Sequence, residues 1–524
     1  YGLPLLRAGR IVNGVMPIDG ASIIHGPWNE GAVYNLPPEE LNENQCTDTI
    51  NVRIGQAGEC EKRRGTVGYG DPEATLGAAV SVMLCGQYRE SASSFPVFIS
   101  GDAVFYEYSS SAWTDRTGGM TITADKPFEW TGANGTLVLF NGTDAPLKWA
   151  GAGNNLALLD LDSRFTTAYH VAFWDNRLWA GNTNANADRL WYSDLGDIET
   201  WGGTSFYDLG SDIIGVVPIS DSLAVHTADG IFTLTSTGNA QIPYQMQQQT
   251  QQAGVSGRSI VTVPGNRQFF VQDEGVYEWD GDRAVTKASS DLDDGYWNNL
   301  NAGQLDTTFA VYYRVENEIW FWLPYGGSQT NMNEIMVYNV EQERWHGPYR
   351  GNDSTTYFER ASAALIDDKP HAGTFTGFLT DHDPASTYTD LNAATTNAIH
   401  AQFTTSAKAP EGEDTRLKWL FTRSYFDSVG AYNVTLNQLS SGISGTSETV
   451  SMGAAGFTLD TDKLDLAVLG TVRVKAADGE LSGYDPHSSI TVSQNVSAEF
   501  FRYRKLVQVY KDLGIKRRRK AGGG

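Results

Sequence analysis

The stretch His170–Trp201, HVAFWDNRLWAGNTNANADRLWYSDLGDIETW, constrains the fold more than any other part of this chain. Phe173-Trp174, Leu178-Trp179 and Leu190-Trp191-Tyr192 are β-forming clusters, and Asn176, Gly181-Asn182 and Gly196-Asp197 break the chain between them. The stretch therefore reads as short aromatic strands followed by a polar turn that ends in Trp201. Weaker versions recur. Ala103–Tyr108 leads to Trp113, Leu137–Phe140 passes through Asn141-Gly142 to Trp149, Val276–Trp279 follows Arg267–Val271, and Met336–Asn339 leads to Trp345. A unit this small cannot bury its own apolar face, so repeated units must stack on one another.

The recurrences fall roughly every 35–60 residues, near the period of propeller blades, about 40–50. The pattern predicts an all-β chain with a β-propeller of about five to six irregular blades over residues 91–397. Residues 1–90 are rich in Pro, Gly and Asn and read as an extended arm with an irregular strand pair. After Pro384 the texture changes, and Ile399–Thr405, Arg416–Phe426, Asn433–Leu436, Thr471–Lys475 and Phe500–Arg504 predict an antiparallel, sandwich-like β domain over 398–512. Residues 513–524, with Lys516-Arg517-Arg518-Arg519-Lys520, read as a flexible basic tail or contact arm. One or two β-sandwiches would also give alternating strands; the Trp-closed recurrence favours the propeller.

The formal charge is −24 at pH 7. A nucleic-acid binder needs a basic footprint, and this chain has the opposite sign. An acidic surface serves solubility, or forms a wall that DNA passes without sticking. Cys46, Cys60 and Cys85 are too few and too irregular for a disulfide framework. They read as buried thiols, with a Cys46–Cys60 bridge left open. No apolar run is long enough to span a membrane, and Tyr1–Arg7 has neither the basic start nor the long apolar region of a signal peptide. With no initiator Met, the start at Tyr1 reads as processed or incomplete.

Catalytic and metal-binding motifs are sparse. His371 and His382 with Asp367, Asp368, Asp381 and Asp383 form the one polar cluster of site-like composition; solvated Asp-rich turns explain it as well. Asp291, Asp293 and Asp294 beside Tyr296-Trp297 imitate a sugar site with acid/base carboxylates, though turn capping is the ordinary role of such residues. Ser193–Trp201 has the letters of a sialidase Asp box at the wrong spacing, and once only. The sequence has no nucleophile elbow and no phosphate loop. Gln247–Gln252 is a loop, an edge strand or a subunit contact.

An ordered series of segments resembles the podovirus tail hub, or nozzle, family. These are Val171–Trp179, Leu190–Asp197, Asp212–Val216 with Leu223–His226, Ala253–Ile260, Phe269–Glu278, and Val337–Asn339 with Arg344–His346. The resemblance covers about residues 165–350. It implies a non-enzymatic virion protein with a propeller core, in a homohexameric ring below the portal and head-tail adaptor. Such a ring extends the DNA ejection channel, helps retain the genome and supports tail fibres or spikes, with double-stranded DNA as transient cargo. It implies no catalytic residue, no metal and no cofactor. Two other expectations stand beside it: a secreted carbohydrate-binding or glycoside-hydrolysing propeller, and a kelch-type interaction scaffold.

Overall fold

A computed structural model describes residues 21–515, apart from 77–79, 91–92, 240, 283, 352–357, 386, 393–394, 411–414, 428–431, 441–442, 453–473, 480–482, 485–486 and 497–498. The basic run Lys516–Lys520 and the N-terminal Tyr1–Arg7 lie outside the described residues. The chain divides into two compact units. One comprises residues 64–343 and 353–396, and the other comprises 1–63, 344–352 and 397–524.

In the first unit, antiparallel sheets follow one another in chain order, each a simple meander. The first sheet is Val82–Glu90, Ser93–Ser100, Phe105–Ser109 and Ala112–Asp115. The second is Glu129–Ala133, Thr136–Phe140, Leu147–Trp149 and Ala157–Leu158. The third, Ala168–Trp174, Arg177–Thr183, Arg189–Tyr192 and Phe206–Asp208, is the aromatic stretch of the sequence. The fourth is Ile213–Ile219, Ser222–Thr227, Gly230–Asn239 and Ile242–Thr250, and the fifth is Val261–Val263, Arg267–Gln272, Gly275–Trp279 and Val285–Lys287. The sixth begins with Phe309–Tyr313, Glu318–Leu323 and Glu334–Asn339, after which the chain passes into the other unit.

The seventh sheet differs. Arg360–Ile366, Lys369–Thr374 and Leu379–Asp381 are joined by Val67–Gly68, a strand from the start of this unit. The earliest strand thus completes the last sheet, and side chains of that last sheet help cover the first. Ser362 Oγ donates to the Val82 carbonyl at 2.7 Å, and Val82, Cys85, Phe98, Ala364, Ile366 and Leu379 share one core cluster. The sheets close into a ring, which is a β-propeller. Seven successive sheets are described, where the recurrence predicts five or six units. The seventh escapes the sequence pattern because it has no closing Trp and borrows its fourth strand from more than 300 residues earlier.

The recurring tryptophans sit between sheets. Trp149 lies in the cluster shared by the first and second, Trp191 and Trp201 in that of the second and third, Trp179 in that of the third and fourth, and Trp279 in that of the fourth and fifth. Each large ring removes apolar area from water at a seam that neither sheet could cover alone.

The second unit is a sandwich of two sheets. One runs Val52–Ile54, Cys60–Lys62, Arg502–Ile515, Thr415–Asp427, Val474–Gly479, with Ala21–His25 paired to Arg502–Ile515. The other runs Gly31–Ala32, Gln45–Ile50, Ala401–Thr405, Ser489–Gln494, Tyr432–Ser440, Ile443–Met452. Val52, Ile54, Cys60, Tyr503 and Leu506 from the first meet Cys46, Phe403, Leu436 and Val492 from the second in one buried core. Residues 21–62 contribute strands to this sandwich where an extended arm is expected, and the expected strand pair is Val52–Ile54 with Cys60–Lys62. Their strands are short, and Ala21–His25, Gln45–Ile50 and Cys60–Lys62 have partners some 350–490 residues downstream. Cys46, Cys60 and Cys85 are free and buried. Among the described residues no helix is long and apolar enough to cross a membrane.

Buried histidines couple the fold to pH. In the propeller, Gly254 N–H donates to His226 Nδ1 at 3.3 Å, so Nε2 carries the proton and donates to Gln268 Oε1 at 3.1 Å. Burial pulls His226 down to about 4 from 6.5. His25, in the sandwich, is likewise pulled down to about 4 by burial, with Gln508 Oε1 2.8 Å from its Nε2. A folded-state value below the unfolded one means that the unfolded chain binds more protons between pH 4 and 6.5. The stabilisation is complete above about pH 6.5 and disappears as the pH falls to about 4, a change on the order of 3 kcal/mol per group. Unfolding free energy measured from pH 7 to 4 is expected to fall more gently in His226→Gln, by up to about 1.4 kcal/mol per pH unit. An unchanged slope would show that His226 does not contribute.

Candidate functional site: the propeller axis

The first strand of every sheet, or the residues leading into it, borders one cavity of about 310 Å³ at the propeller axis, from Leu84 in the first sheet to Ala363 in the seventh. Most of its lining residues are apolar by type, Trp130, Phe173 and Phe309 among them. Its charged residues are Glu129 and Arg258, and His170 stands behind Glu129 from the third sheet.

Glu129 opens the second sheet and His170 lies in the first strand of the third. His170 Nδ1 is 3.0 Å from Glu129 Oε1, and both side chains are largely buried. The third element is Gly257-Arg258, in the short turn before the fifth sheet. Gly257 passes so close to its neighbours that a Cβ there would lie 2.4 Å from the Ile214 carbonyl oxygen and 2.9 Å from Glu129 Oε1. Only glycine allows that approach. It brings Arg258 to the cavity wall, where Nη2 donates to the Thr307 carbonyl at 2.8 Å and the guanidinium lies 5.5 Å from the Phe309 ring centre.

Burial lowers the proton affinity of Arg258 below the usual arginine value; the charges of Tyr169, Glu129 and Asp306 work in the opposite direction. Among the described residues Arg258 has no carboxylate within ion-pair distance, so compensation is through space only. A desolvated guanidinium beside a cavity is suited to a small guest with a negative or strongly accepting group. The volume sets the size limit. A space of about 310 Å³ is at the small end of the range for small-molecule pockets, about 300–1,000 Å³.

The cluster around His371 and His382 is taken up in local contacts. Gln87 Nε2 donates to Asp367 at 2.6 Å, Arg89 reaches Asp368 at 3.1 Å, and His371 Nδ1 lies 3.0 Å from the Lys369 carbonyl. Asp383 accepts from Arg64 at 2.8 Å and Tyr313 at 2.7 Å, while Lys369 lies 3.6 Å from Asp381. His382 is ringed by Trp320, Trp322 and Phe358. Among the described residues no group of three or more His, Cys, Asp or Glu is placed to hold a metal ion.

The sugar-like cluster also resolves into packing. Tyr296 and Trp297 are buried, Tyr296 stacks on Tyr325 at 5.3 Å, and Trp297 Nε1 donates to the Asp273 carbonyl at 2.9 Å. Neither ring forms an open platform, and Asp293 pairs with Lys287 at 2.7 Å. In the Ser193–Trp201 turn, Leu178 N–H donates to Ser193 Oγ and Trp201 Nε1 donates to the Ile198 carbonyl, so this segment serves as a seam between sheets. Sequence reasoning missed Glu129, His170 and Arg258 as a set. The available signal was the glycine directly before an arginine at the entry to a strand.

No protein-family model and no curated protein matches the chain. Solved structures similar to it include BamB from Moraxella catarrhalis, 10% identical, covering 62% of this chain and 98% of that one with a TM-score of 0.38. The WD40 domain of Neurospora crassa Pan2 is 7% identical, with 62% and 96% covered and a TM-score of 0.39. YCF48 from Cyanidioschyzon merolae is 12% identical, with 58% and 96% covered and a TM-score of 0.38. The propeller assignment rests on the sheet order and the ring closure described above.

Proposed function

We propose that this chain is a structural protein of a short-tailed bacteriophage virion, a hub or nozzle subunit. Six copies form a ring below the portal and adaptor, extend the DNA conduit, help retain the genome and support tail fibres or spikes. The observation that carries this reading is where the aromatic repeats go: their tryptophans seal the seams between sheets, and the first strands surround a cavity of about 310 Å³. The propeller's sheets are thus packed on one another by the chain's own side chains. In a ring the conduit lies between copies and not through each one.

Two features support it. The segments that carry the family resemblance, from Val171 to His346, fall on successive strands and their approaches. The charge of −24 suits a wall past which a duplex moves without adhering. The mechanism is steric and electrostatic, and the DNA is cargo. Native mass measurement of the purified chain, alone and with its adaptor, is the test. A species of six times 57.2 kDa is expected. A monomer under all conditions, including with its neighbours present, would sink the proposal.

A further inference from the structure

We infer that the hairpin formed by Gly230–Asn239 and Ile242–Thr250 is a contact surface for a second copy of this chain. The inference rests on the ring-forming reading above and locates one of its interfaces.

Residues 230–257 contain no Asp, Glu, Lys, Arg or His, and this is the longest such stretch in the sequence. At the chain's overall 19% of charged residues, 28 positions would carry about five charges. Absence of charge is ordinary in a core, but this hairpin is not core. Thr235–Asn239 are exposed, as are Gln245, Gln247 and Gln248, and Ile242 beside the turn is 64% exposed. Ile242–Thr250 is also the outermost strand of its sheet, and among the described residues no strand pairs with its outer edge. Only one side is held: Tyr244 packs on Trp174, Trp179 and Tyr192, and Tyr207 donates to the Tyr244 carbonyl. Gln245 and Gln247 alternate with Tyr244 and so share the opposite face.

Outer strands are normally guarded by charged side chains, Lys above all. Here the guard is reduced to Pro243 near the turn. An acidic chain that guards none of this edge with charge leaves it fit for an uncharged surface. The net charge then identifies the occupant. Two copies at −24 each repel wherever their acidic surfaces come within the screening length, about 8 Å at physiological salt. They meet at least cost where neither presents a charge. A basic partner would find no carboxylate on this hairpin, and nucleic acid would find no cation. Glutamine amides both donate and accept, so they can pair with an uncharged face of the same chain without a mismatch of sign or of donors.

The test uses the full chain and two variants, Gln245→Glu with Gln247→Glu, and Gln245→Lys with Gln247→Lys. Self-association is followed by native mass and light scattering over a concentration series, and melting temperature reports folding. The wild type is expected to form rings. Both variants are expected to fold with an unchanged melting temperature and to need at least about tenfold more protein for the same assembly. Rings in the wild type with undiminished assembly of both variants would overturn this interface and leave the ring reading standing. Tighter assembly of the lysine pair alone would put an acidic face against the hairpin and overturn the pairing of uncharged surfaces. A wild type that stays monomeric at every concentration and beside its neighbours overturns both.

Discussion

Replacing Trp179 with alanine is expected to lower the unfolding free energy of the propeller by about 3–5 kcal/mol, the range for deleting a large buried aromatic side chain. Trp179 is fully buried at the seam of the third and fourth sheets. Tyr244 and Tyr192 pack against it at 4.9 and 5.1 Å between ring centres, and its Nε1 donates to the Trp174 carbonyl at 3.0 Å. The alanine variant leaves a cavity between two sheets and leaves that carbonyl without its donor. Urea unfolding gives the magnitude, and hydrogen exchange should quicken first in Ala168–Trp174 and Ile213–Ile219. Trp179→Phe keeps a ring in the seam and should lose less. A loss below about 1 kcal/mol for the alanine variant would mean that the seam tryptophans are not what holds the sheets together.

The second large effect concerns closure of the ring. A Cβ on Gly65 would lie 2.0 Å from the Thr389 carbonyl oxygen, and no side-chain rearrangement relieves a clash with backbone. The segment is held on both sides: Gly65 N–H donates to the Thr387 carbonyl at 2.7 Å and Tyr69 N–H to the Leu379 carbonyl at 2.7 Å. Gly65→Val therefore forces Val67–Gly68 away from Leu379–Asp381. The expected loss is about 3 kcal/mol or more, at or beyond the usual upper limit for overpacking. Gly327→Ala, where nothing lies within 4 Å, is the control, with a change inside about 0.5 kcal/mol. Equal stability of the two variants would contradict the role given to the closing strand.

The parts of the fold that could be read from sequence are those whose partners are close in the chain. The strands around Asp229-Gly230 and Asp280-Gly281 are adjacent hairpin or sheet neighbours, and their turns and alternation appear within a window of some twenty residues. The change of texture after Pro384 is visible for the same reason, since the long C-terminal strands alternate on their own. The closing strand Val67–Gly68 has only two residues and no period. Of the sandwich strands in 21–62, Ala21–His25, Gln45–Ile50 and Cys60–Lys62 depend on partners far downstream. The axial groups were invisible for a third reason: Glu129, His170 and Arg258 belong to three sheets, and it is the ring, not any spacing along the chain, that brings them together. The charged clusters misled in the opposite sense. His371, His382 and their neighbouring aspartates look like a site because they are close in sequence, yet their contacts run to Gln87, Arg89, Arg64 and Tyr313.

The sandwich pairing of Cys46 with Thr405 sets a timetable for synthesis. The two positions are 359 residues apart, and a ribosome adding about 5–20 residues per second needs roughly 20–70 s to make that interval. Throughout that time Gln45–Ile50 has emerged without its downstream partner, while the intervening propeller strands, apart from Val67–Gly68, are made in order and can pair with neighbours already present. The sandwich is therefore the last part of the chain to form, and its early strands spend the longest time as open edges. Faster elongation, or a chaperone that covers residues 45–62, shortens or shields that interval. Either should raise the yield of folded subunit more than any change within the propeller.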